Sequence, residues 1–533
     1  MFELITNPPT RFFLSAIFLF GICITALLTP LVIRLARKLG AVDADSSRDL
    51  SRSAIPTLGG LGIAIPVLFV CAGLAGLFLS GFYYPGLFSL FWSRFPDVLP
   101  ANIIRNLFLL SIGGLAIIVL GLVDDLRGLR ARGKFLGQFV IAVFICSSVP
   151  TLRGIYIPLI GGVVIGPVAG FGLSILWIVG LINAFNLIDG LDGLATGIGL
   201  IAAVTLVVLG AIIGNPITVI VCTVLAGSLL AFLAFNFPPA RIFLGDTGSM
   251  FIGYMLAAGT LMGSYTYKSE TAIILLAPVL ALSFPIYETV LSMARRYFRG
   301  MPIFAGDLRH THHRLLEKGL SPRQAVLSLY AFTLLPAAAA VLSQIIPKGD
   351  MWEWLPVGIV IVALLGIARW AGYIRPDSIW LIFNRRRRNK VLSAFSQYAI
   401  RSLTADSAAI TPSEILELCR RELKLSFLEV WFEKGPILIG SSGLRGDFTK
   451  EDGKFDKTER SRVKSISGHR IIIRYRYDQP RDEIERRDIA ACLAGIFQTS
   501  GVNLLLKKAV SLQSEIAERE ILEKLEREIS GRV

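Results

Sequence analysis

The chain is poor in charge. Asp, Glu, Lys and Arg make up 17% of its 533 residues, where an average soluble domain carries about 25%. That deficit excludes a large soluble enzyme with an ordinary solvated surface. Histidine is scarcer still, with four residues, and cysteine numbers six. Cys23, Cys71, Cys146, Cys222, Cys419 and Cys492 contain no Cys-x-x-Cys pair. Four of them lie in apolar runs, where a thiol behaves as a small hydrophobe, so neither a disulfide framework nor a thiolate metal site is expected. What the chain has in abundance excludes disorder. Hydrophobic residues make up 53% of it and its mean hydropathy is +0.63, the opposite of the polar composition that keeps a chain unfolded.

The charge that remains is unevenly placed. Residues 1–374 hold 24 Lys and Arg and 16 Asp and Glu among long apolar runs, whereas residues 375–533 hold 30 and 23 and read as soluble. The expected fold is an all-α polytopic membrane protein (residues 1–374), a basic juxtamembrane linker (375–411) and a C-terminal soluble α+β domain (412–533). About 11 apolar stretches are long enough to be considered as transmembrane helices, near 12–33, 58–81, 103–123, 135–151, 169–187, 194–213, 216–236, 249–266, 271–292, 324–345 and 353–374. The first is not read as a cleaved signal, because its basic cluster follows the apolar run. Alternate loops carry most of the Lys and Arg, and the positive-inside rule makes those loops cytoplasmic, with the N-terminus outside and the tail inside. On the outer side, residues 155–167 read as a small hairpin around Gly161-Gly162.

The linker contains Asn384–Lys390 (NRRRRNK), suited to anionic lipid at the inner leaflet; nucleic acid is not an expected partner. Beyond it the pattern predicts a helix near 412–424, strands near 427–432, 436–440 and 470–477, and helices near 482–508 and 510–529. This layout resembles a GAF-type sensory domain. The last helix is amphipathic, and serves either as a coiled-coil dimer helix or as a helix packed on its own domain.

Polar residues are costly in a membrane protein, so their clustering is informative. The first of four clusters is Asp124-Asp125 at the end of a span, followed by Lys134 and Gln138; adjacent carboxylates repel unless a cation or proton compensates them, although a solvated helix end also carries charge. The second is Asn183-x-x-Asn186-x-x-Asp189-Gly-x-Asp192-Gly, four polar residues three apart that share a helical side or an unwound helix end. Their oxygens are the hard ligands that Mg²⁺ prefers, with room left for phosphates; a Gly-rich kink accounts for the glycines alone. The third, Phe243-Leu-Gly245-Asp246-Thr-Gly-Ser249, opens a span and offers backbone N–H groups to phosphate, with Asp246 either a metal ligand or a cap. The fourth is Asp307-x-x-His310-x-His312-His313. Three of four histidines within four positions argue against core packing, and hard oxygens elsewhere favour pyrophosphate or sugar contacts over a transition-metal site.

Jointly, in order and spacing, these motifs resemble the polyprenyl-phosphate N-acetylhexosamine-1-phosphate transferases. The resemblance covers residues 12–374, includes Pro56-Thr-Leu-Gly59-Gly60, and excludes the tail. The histidine pattern looks like the undecaprenyl-phosphate N-acetylglucosamine-1-phosphate branch; the phospho-N-acetylmuramoyl-pentapeptide transferases are the alternative. Arg48-Asp49-Leu50-Ser51 departs from the Arg-Lys-x-His frequent in relatives. The resemblance implies a UDP-sugar and a polyprenyl phosphate as substrates, UMP as product, Mg²⁺ or Mn²⁺ as cofactor, a homodimer, and a bacterial inner-membrane site of cell-envelope glycan synthesis. It implies that Asn186 and Asp246 hold metal and that Asp124 and Asp125 position or deprotonate the lipid phosphate. Asn183, Asp189, Asp192, Phe243, Gly245, Lys134, His310, His312 and His313 are then substrate contacts, Phe243 by stacking on uracil and Asp189 and Asp192 by contacting the nucleotide or orienting neighbours; the tail, outside the resemblance, is expected to regulate or scaffold through a cytoplasmic partner. A transporter is the reading from a different class, but transporters bury their ionisable groups near the bilayer midplane. The CDP-alcohol phosphotransferases share a similar Asp-Gly string but need Ala-Arg where this chain has Ala195-Thr196.

Overall fold

The computed structural model describes residues 8–43, 55–79, 100–149, 151–152, 154–157, 161–263, 276–298, 310–347, 350–373, 412–432, 438–442, 459–464 and 470–477, with 397, 489 and 492–493. Helices dominate. In chain order they are α1 (Pro8–Leu39), α2 (Gly60–Leu79), α3 (Pro100–Arg127), α4 (Ala131–Ser148), α5 (Pro167–Ile188), α6 (Leu194–Ile213), α7 (Pro216–Asn236) and α8 (Gly245–Gly263). Then follow α9 (Leu276–Ala281), α10 (Ser283–Phe298), α11 (Thr311–Glu317), α12 (Pro322–Ile345) and α13 (Leu355–Trp370). Two short antiparallel pairs interrupt them: β1 (Val42–Asp43) with β2 (Ile55–Pro56), and the hairpin expected around Gly161-Gly162, β3 (Gly154–Ile157) with β4 (Gly161–Val164).

The helix ends follow local chemistry. Helices α5, α7, α12 and α13 each carry Pro in the first turn, where a missing N–H costs nothing. Asn215 caps α7 through Thr218 N, and Ser321 with Gln324 form a capping box on α12.

Among the described residues, seven helical segments are long and apolar enough to cross a membrane: Thr10–Leu39, Ile103–Arg127, Pro167–Ile188, Leu194–Ile213, Pro216–Asn236, Pro322–Ile345 and Met351–Trp370. The protein is therefore mostly helical and polytopic. The other expected spans fall on α2, α4 and α8 and on a helix that breaks at Leu282 into α9 and α10. Helix α8 explains why length and hydropathy understate some of these. Every residue from Thr247 to Met262 is buried, so α8 meets protein on all sides and can carry Gly, Ser and Thr where a lipid-facing helix carries Leu. It packs against α3, α5, α7 and α2 and forms the axis of the helical unit.

The chain divides into two compact units, one of residues 1–293 and 306–375, the other of 294–305 and 376–533. In the second, α14 (Pro412–Glu422) precedes β5 (Leu425–Phe432), β6 (Leu438–Ser442), β7 (Glu459–Lys464) and β8 (Arg470–Tyr477). These strands form one antiparallel sheet in the order β6-β5-β8-β7. Strand β7 (ERSRVK) is not among the strands expected from pattern, because a charged edge strand lacks apolar alternation. The basic segment 384–390, the helices near 482–508 and 510–529, Arg48 and Asp307 lie outside the described residues.

Candidate active site

Asp124 and Asp125 sit together in the last turn of α3, but neighbours on a helix project about 100° apart and do not face the same partner. The structure uses them differently. Asp124 is buried; its Oδ1 accepts from Leu129 N at 2.7 Å and its Oδ2 lies 2.8 Å from Lys134 Nζ. Asp125 points at the start of α8. Its Oδ1 accepts from Asp246 N at 2.8 Å, and its Oδ2 accepts from Thr247 N at 3.0 Å and Thr247 Oγ1 at 2.6 Å. Asp125 is thus the N-cap acceptor of α8, supplied by another helix. Two of the first-turn N–H groups that sequence offered to phosphate, those of Asp246 and Thr247, are therefore taken by Asp125.

Gly245 makes this possible. Its φ is +73°, and a Cβ there would lie 2.0 Å from the Thr57 carbonyl oxygen and 2.8 Å from Asp125 Oδ2. The Pro56–Gly60 stretch is strapped to the same loop: Phe243 N donates to Pro56 O at 2.8 Å and Gly59 N to Phe243 O at 3.0 Å. Phe243 itself is half-buried at the rim.

Helix α5 brings the second cluster. Asn186 Nδ2 donates to Asp246 Oδ1 and, at 3.0 Å, to Ser249 Oγ. Asn186 Oδ1 accepts from Lys134 Nζ at 3.2 Å, and the same ammonium lies 2.7 Å from Asp246 Oδ1. One turn away, Asn183 Nδ2 donates to Gln138 Oε1 and to Val179 O, both at 2.7 Å. Asn183 therefore braces α5 on α4 beneath the ion cluster. Asp189 occupies the C-cap of α5. Partial burial, then repulsion from Asp246, Asp125 and Asp192, hold its carboxyl well above the usual carboxylate range against the pull of Lys134. Asp192 Oδ2 accepts from Ala240 N at 3.0 Å, tying the turn after α5 to the loop before α8.

The histidines arrive on α11. His310 is its N-cap residue, with Nδ1 3.9 Å from Glu288 Oε2. The rings of His310 and His312 lie 5.6 Å apart, and those of His312 and His313 4.4 Å. A Cβ added to Gly190 would lie 2.4 Å from His312 Nε2. A side chain at 190 would have to push the His312 ring aside, and the fourth cluster thereby meets the second. All four motifs meet at one end of the helical unit.

Three contributors were not singled out from sequence. Asn236, at the end of α7, accepts from Gly193 N at 3.0 Å and Thr196 Oγ1 at 2.8 Å and donates to Ile242 O at 2.9 Å, so it joins both loops of the site. Glu288, on α10, accepts from Thr311 N at 3.4 Å. The available signal was a lone polar residue within or ending an apolar run. Tyr330, whose hydroxyl donates to Gly193 O, gave none.

Whether the site suits a divalent cation is tested by the oxygens around Lys134. Asp124 Oδ2, Asp246 Oδ1 and Asn186 Oδ1 converge on one ammonium, which stands in for a cation. Two carboxylates and an amide oxygen are a hard donor set that fits Mg²⁺ or Mn²⁺. Among the described residues, no three His, Cys, Asp or Glu side chains are grouped as a metal site, so any such ion would lean on the amide and on substrate oxygens.

Residues 107–264, from within α3 to just past the end of α8, match the family model for Glycosyl transferase family 4. A protein of Bacillus subtilis named as a probable undecaprenyl-phosphate N-acetylglucosaminyl 1-phosphate transferase is 34% identical over 351 residues, which cover 66% of this chain and 89% of the relative. A decaprenyl-phosphate N-acetylglucosaminephosphotransferase of Mycobacterium leprae is 35% identical over 363 residues, 64% of this chain and 86% of its own. A phospho-N-acetylmuramoyl-pentapeptide-transferase of Desulforudis audaxviator is 30% identical over 337 residues, 59% and 93% respectively. The match encloses the carboxylates of α3, the asparagines of α5 and the start of α8, and the chain is accordingly a membrane enzyme belonging to Glycosyl transferase family 4.

Proposed function

We propose that this enzyme transfers N-acetylglucosamine 1-phosphate, or a closely related N-acetylhexosamine 1-phosphate, from a UDP-sugar to undecaprenyl phosphate, releasing UMP. The observation that carries this reading is the convergence of Asp124, Asp246 and Asn186 on one cation position beside the histidines of α11. The pyrophosphate of a sugar nucleotide needs that concentration of charge, and the names of the relatives supply the substrate class.

The attacking lipid phosphate has a second pKa of about 6, so at neutral pH it is mostly ionised and needs little help from a base. Positioning and electrostatics then dominate, as in phosphoryl transfer generally. Asp246 and Asn186, with Asp124 alongside, would hold Mg²⁺ or Mn²⁺. Bound there, the ion supplies Lewis-acid neutralisation and a template for the phosphates. Asp125 holds Asp246 in place by capping α8. Asp124 keeps Lys134 beside the metal position. Asp189 and Asp192 shape the turn that meets the nucleotide, Phe243 stacks on the base, and His310, His312 and His313 face the pyrophosphate or sugar. Proton loss from the lipid phosphate is to solvent, and the phosphate oxygen displaces UMP at the sugar-bearing phosphorus.

We place the site on the cytoplasmic face of a bacterial inner membrane, within an 11-span helical unit whose N-terminus is outside, and assign the product to cell-envelope glycan synthesis. Dimerisation and partner docking fall to the C-terminal unit, proposed as GAF-like. The test uses purified full-length protein in detergent with undecaprenyl phosphate, Mg²⁺ and a panel of UDP-sugars, read as UMP release. Release with UDP-N-acetylglucosamine but not with the UDP-N-acetylmuramoyl pentapeptide supports the reading. Release with no UDP-N-acetylhexosamine of the panel, from folded protein, rejects it.

A further inference from the structure

Lys134 makes three contacts that leave its charge no other partner to seek. An ammonium has three N–H donors and no acceptor, and the three oxygens within 3.2 Å are those of Asp124 at 2.8 Å, Asp246 at 2.7 Å and Asn186 at 3.2 Å. Two of the three come from carboxylates on different helices, α3 and α8, which repel each other across the site. The lysine side chain is 14% exposed, that of Asp124 6% and that of Asp246 32%, so water screens the Lys134–Asp124 pair weakly and reaches the cluster from the Asp246 side.

The same oxygens are the hard donor set for the divalent ion. Mg²⁺ binds oxygen at about 2.0–2.1 Å, whereas the ammonium stands 2.7–3.2 Å from each oxygen. The two cations need the same point and repel each other, so they cannot occupy it together. Lysine also has a flexible four-carbon stem, which lets its charge leave without moving α4.

We propose that Lys134 is a resident counter-cation of the metal position: its ammonium holds Asp124, Asp246 and Asn186 together and must be displaced for a divalent ion to bind. The inference rests on the metal reading given above. Displacement has two consequences. The divalent ion binds weakly to the enzyme without substrate, because it first has to expel a well-held charge. The expelled ammonium remains within the length of its own stem of the ion, where it meets the phosphates of an incoming nucleotide. Metal and nucleotide thus bind cooperatively, each making a place for a charge the other needs. An exposed metal site left open between substrates is avoided.

The experiment is a Mn²⁺ titration of the full-length protein in detergent, read by the electron paramagnetic resonance signal of free Mn²⁺, without nucleotide or lipid substrate. Wild type is compared with Lys134→Met, which keeps the stem and removes the charge, and with Lys134→Gln should the first fail to fold. Asp246→Asn serves as the control for site occupancy. The expected result is Mn²⁺ binding about tenfold tighter in the Lys134 variant than in wild type, which is about 1.4 kcal/mol, together with a larger rise in melting temperature on adding Mn²⁺. Equal or weaker affinity in the variant, with binding still lost in Asp246→Asn, overturns the counter-cation role and leaves the metal assignment standing. No Mn²⁺ binding in wild type or variant overturns both.

Discussion

Replacing Asp125 tests whether the two carboxylates of α3 divide their labour. Asp125 accepts three hydrogen bonds, from Asp246 N, Thr247 N and Thr247 Oγ1, at 2.8, 3.0 and 2.6 Å. Loss of an N-cap side chain costs about 1 kcal/mol and up to about 2, and each buried donor left without an acceptor costs about 1–3 kcal/mol. These terms overlap, because all three donors belong to one turn, so Asp125→Ala should destabilise the protein by about 2–4 kcal/mol. Asp125→Asn keeps one acceptor oxygen and should cost about half that. The functional effect follows from position. Asp246 is the second residue of α8, and a displacement of about 1 Å at a reacting centre can cost about 10²-fold in rate. Asp125→Asn should therefore lower kcat for UMP release, reduce the melting temperature in detergent, and speed hydrogen exchange at the amides of Asp246 and Thr247. Asp124→Asn, which keeps its bond from Leu129 N, should leave the exchange at those amides unchanged. An Asp125→Asn enzyme that melts and exchanges like wild type but has lost its activity would refute the capping role and put Asp125 in direct contact with substrate.

Asp246→Asn and Asn186→Ala should each reduce UMP release by at least about 10²-fold in folded protein, and turnover near the wild-type rate in Asp246→Asn would reject its place as a metal ligand. His310, His312 and His313 replaced singly by Ala should raise KM for the sugar nucleotide, and Gly190→Ala should act like the His312 variant because its methyl occupies the space of that ring. Inhibition by a zinc-selective chelator, reversed by zinc and not by magnesium, would point to a transition-metal site. Asp189 has a raised carboxyl pKa, so the folded metal-free protein binds that proton more tightly than the unfolded chain. Its contribution destabilises as pH rises from the unfolded value of about 3.9 through the folded one, and is fully unfavourable above it. Asp189→Asn should accordingly melt higher than wild type at pH 8 in the absence of divalent ions, and an unchanged or lower melting temperature counts against that assignment. A chain ending after Lys390 should keep UMP release in detergent once its folding is verified by gel filtration; a folded but inactive truncation would move part of the site into the tail.

The sequence by itself determined the membrane class, the order of the helices and the identity of the polar clusters. Lipid is the reason: a polar side chain in an apolar run costs enough that four groups of them, at 124–138, 183–192, 243–249 and 310–313, stand out without any alignment. Tertiary structure decided what each member does. Asp124 and Asp125 are indistinguishable in a string, yet a 100° turn of the helix sends one to Lys134 and the other to the start of α8. For Asp192 the string leaves open a nucleotide contact or the orienting of neighbours, and the fold shows its Oδ2 accepting from Ala240 N. Asn236 and Tyr330 join the site from α7 and α12; the polar end of an apolar run marks Asn236 but not its partner 43 residues away, and nothing local marks Tyr330 or its partner 137 residues away. Periodicity and composition report what is near along the chain and whether it prefers lipid. Which oxygen meets which donor depends on how helices distant in sequence pack, and here that packing turns on glycines at 190 and 245, whose missing side chains leave room for His312 and for the Thr57 carbonyl.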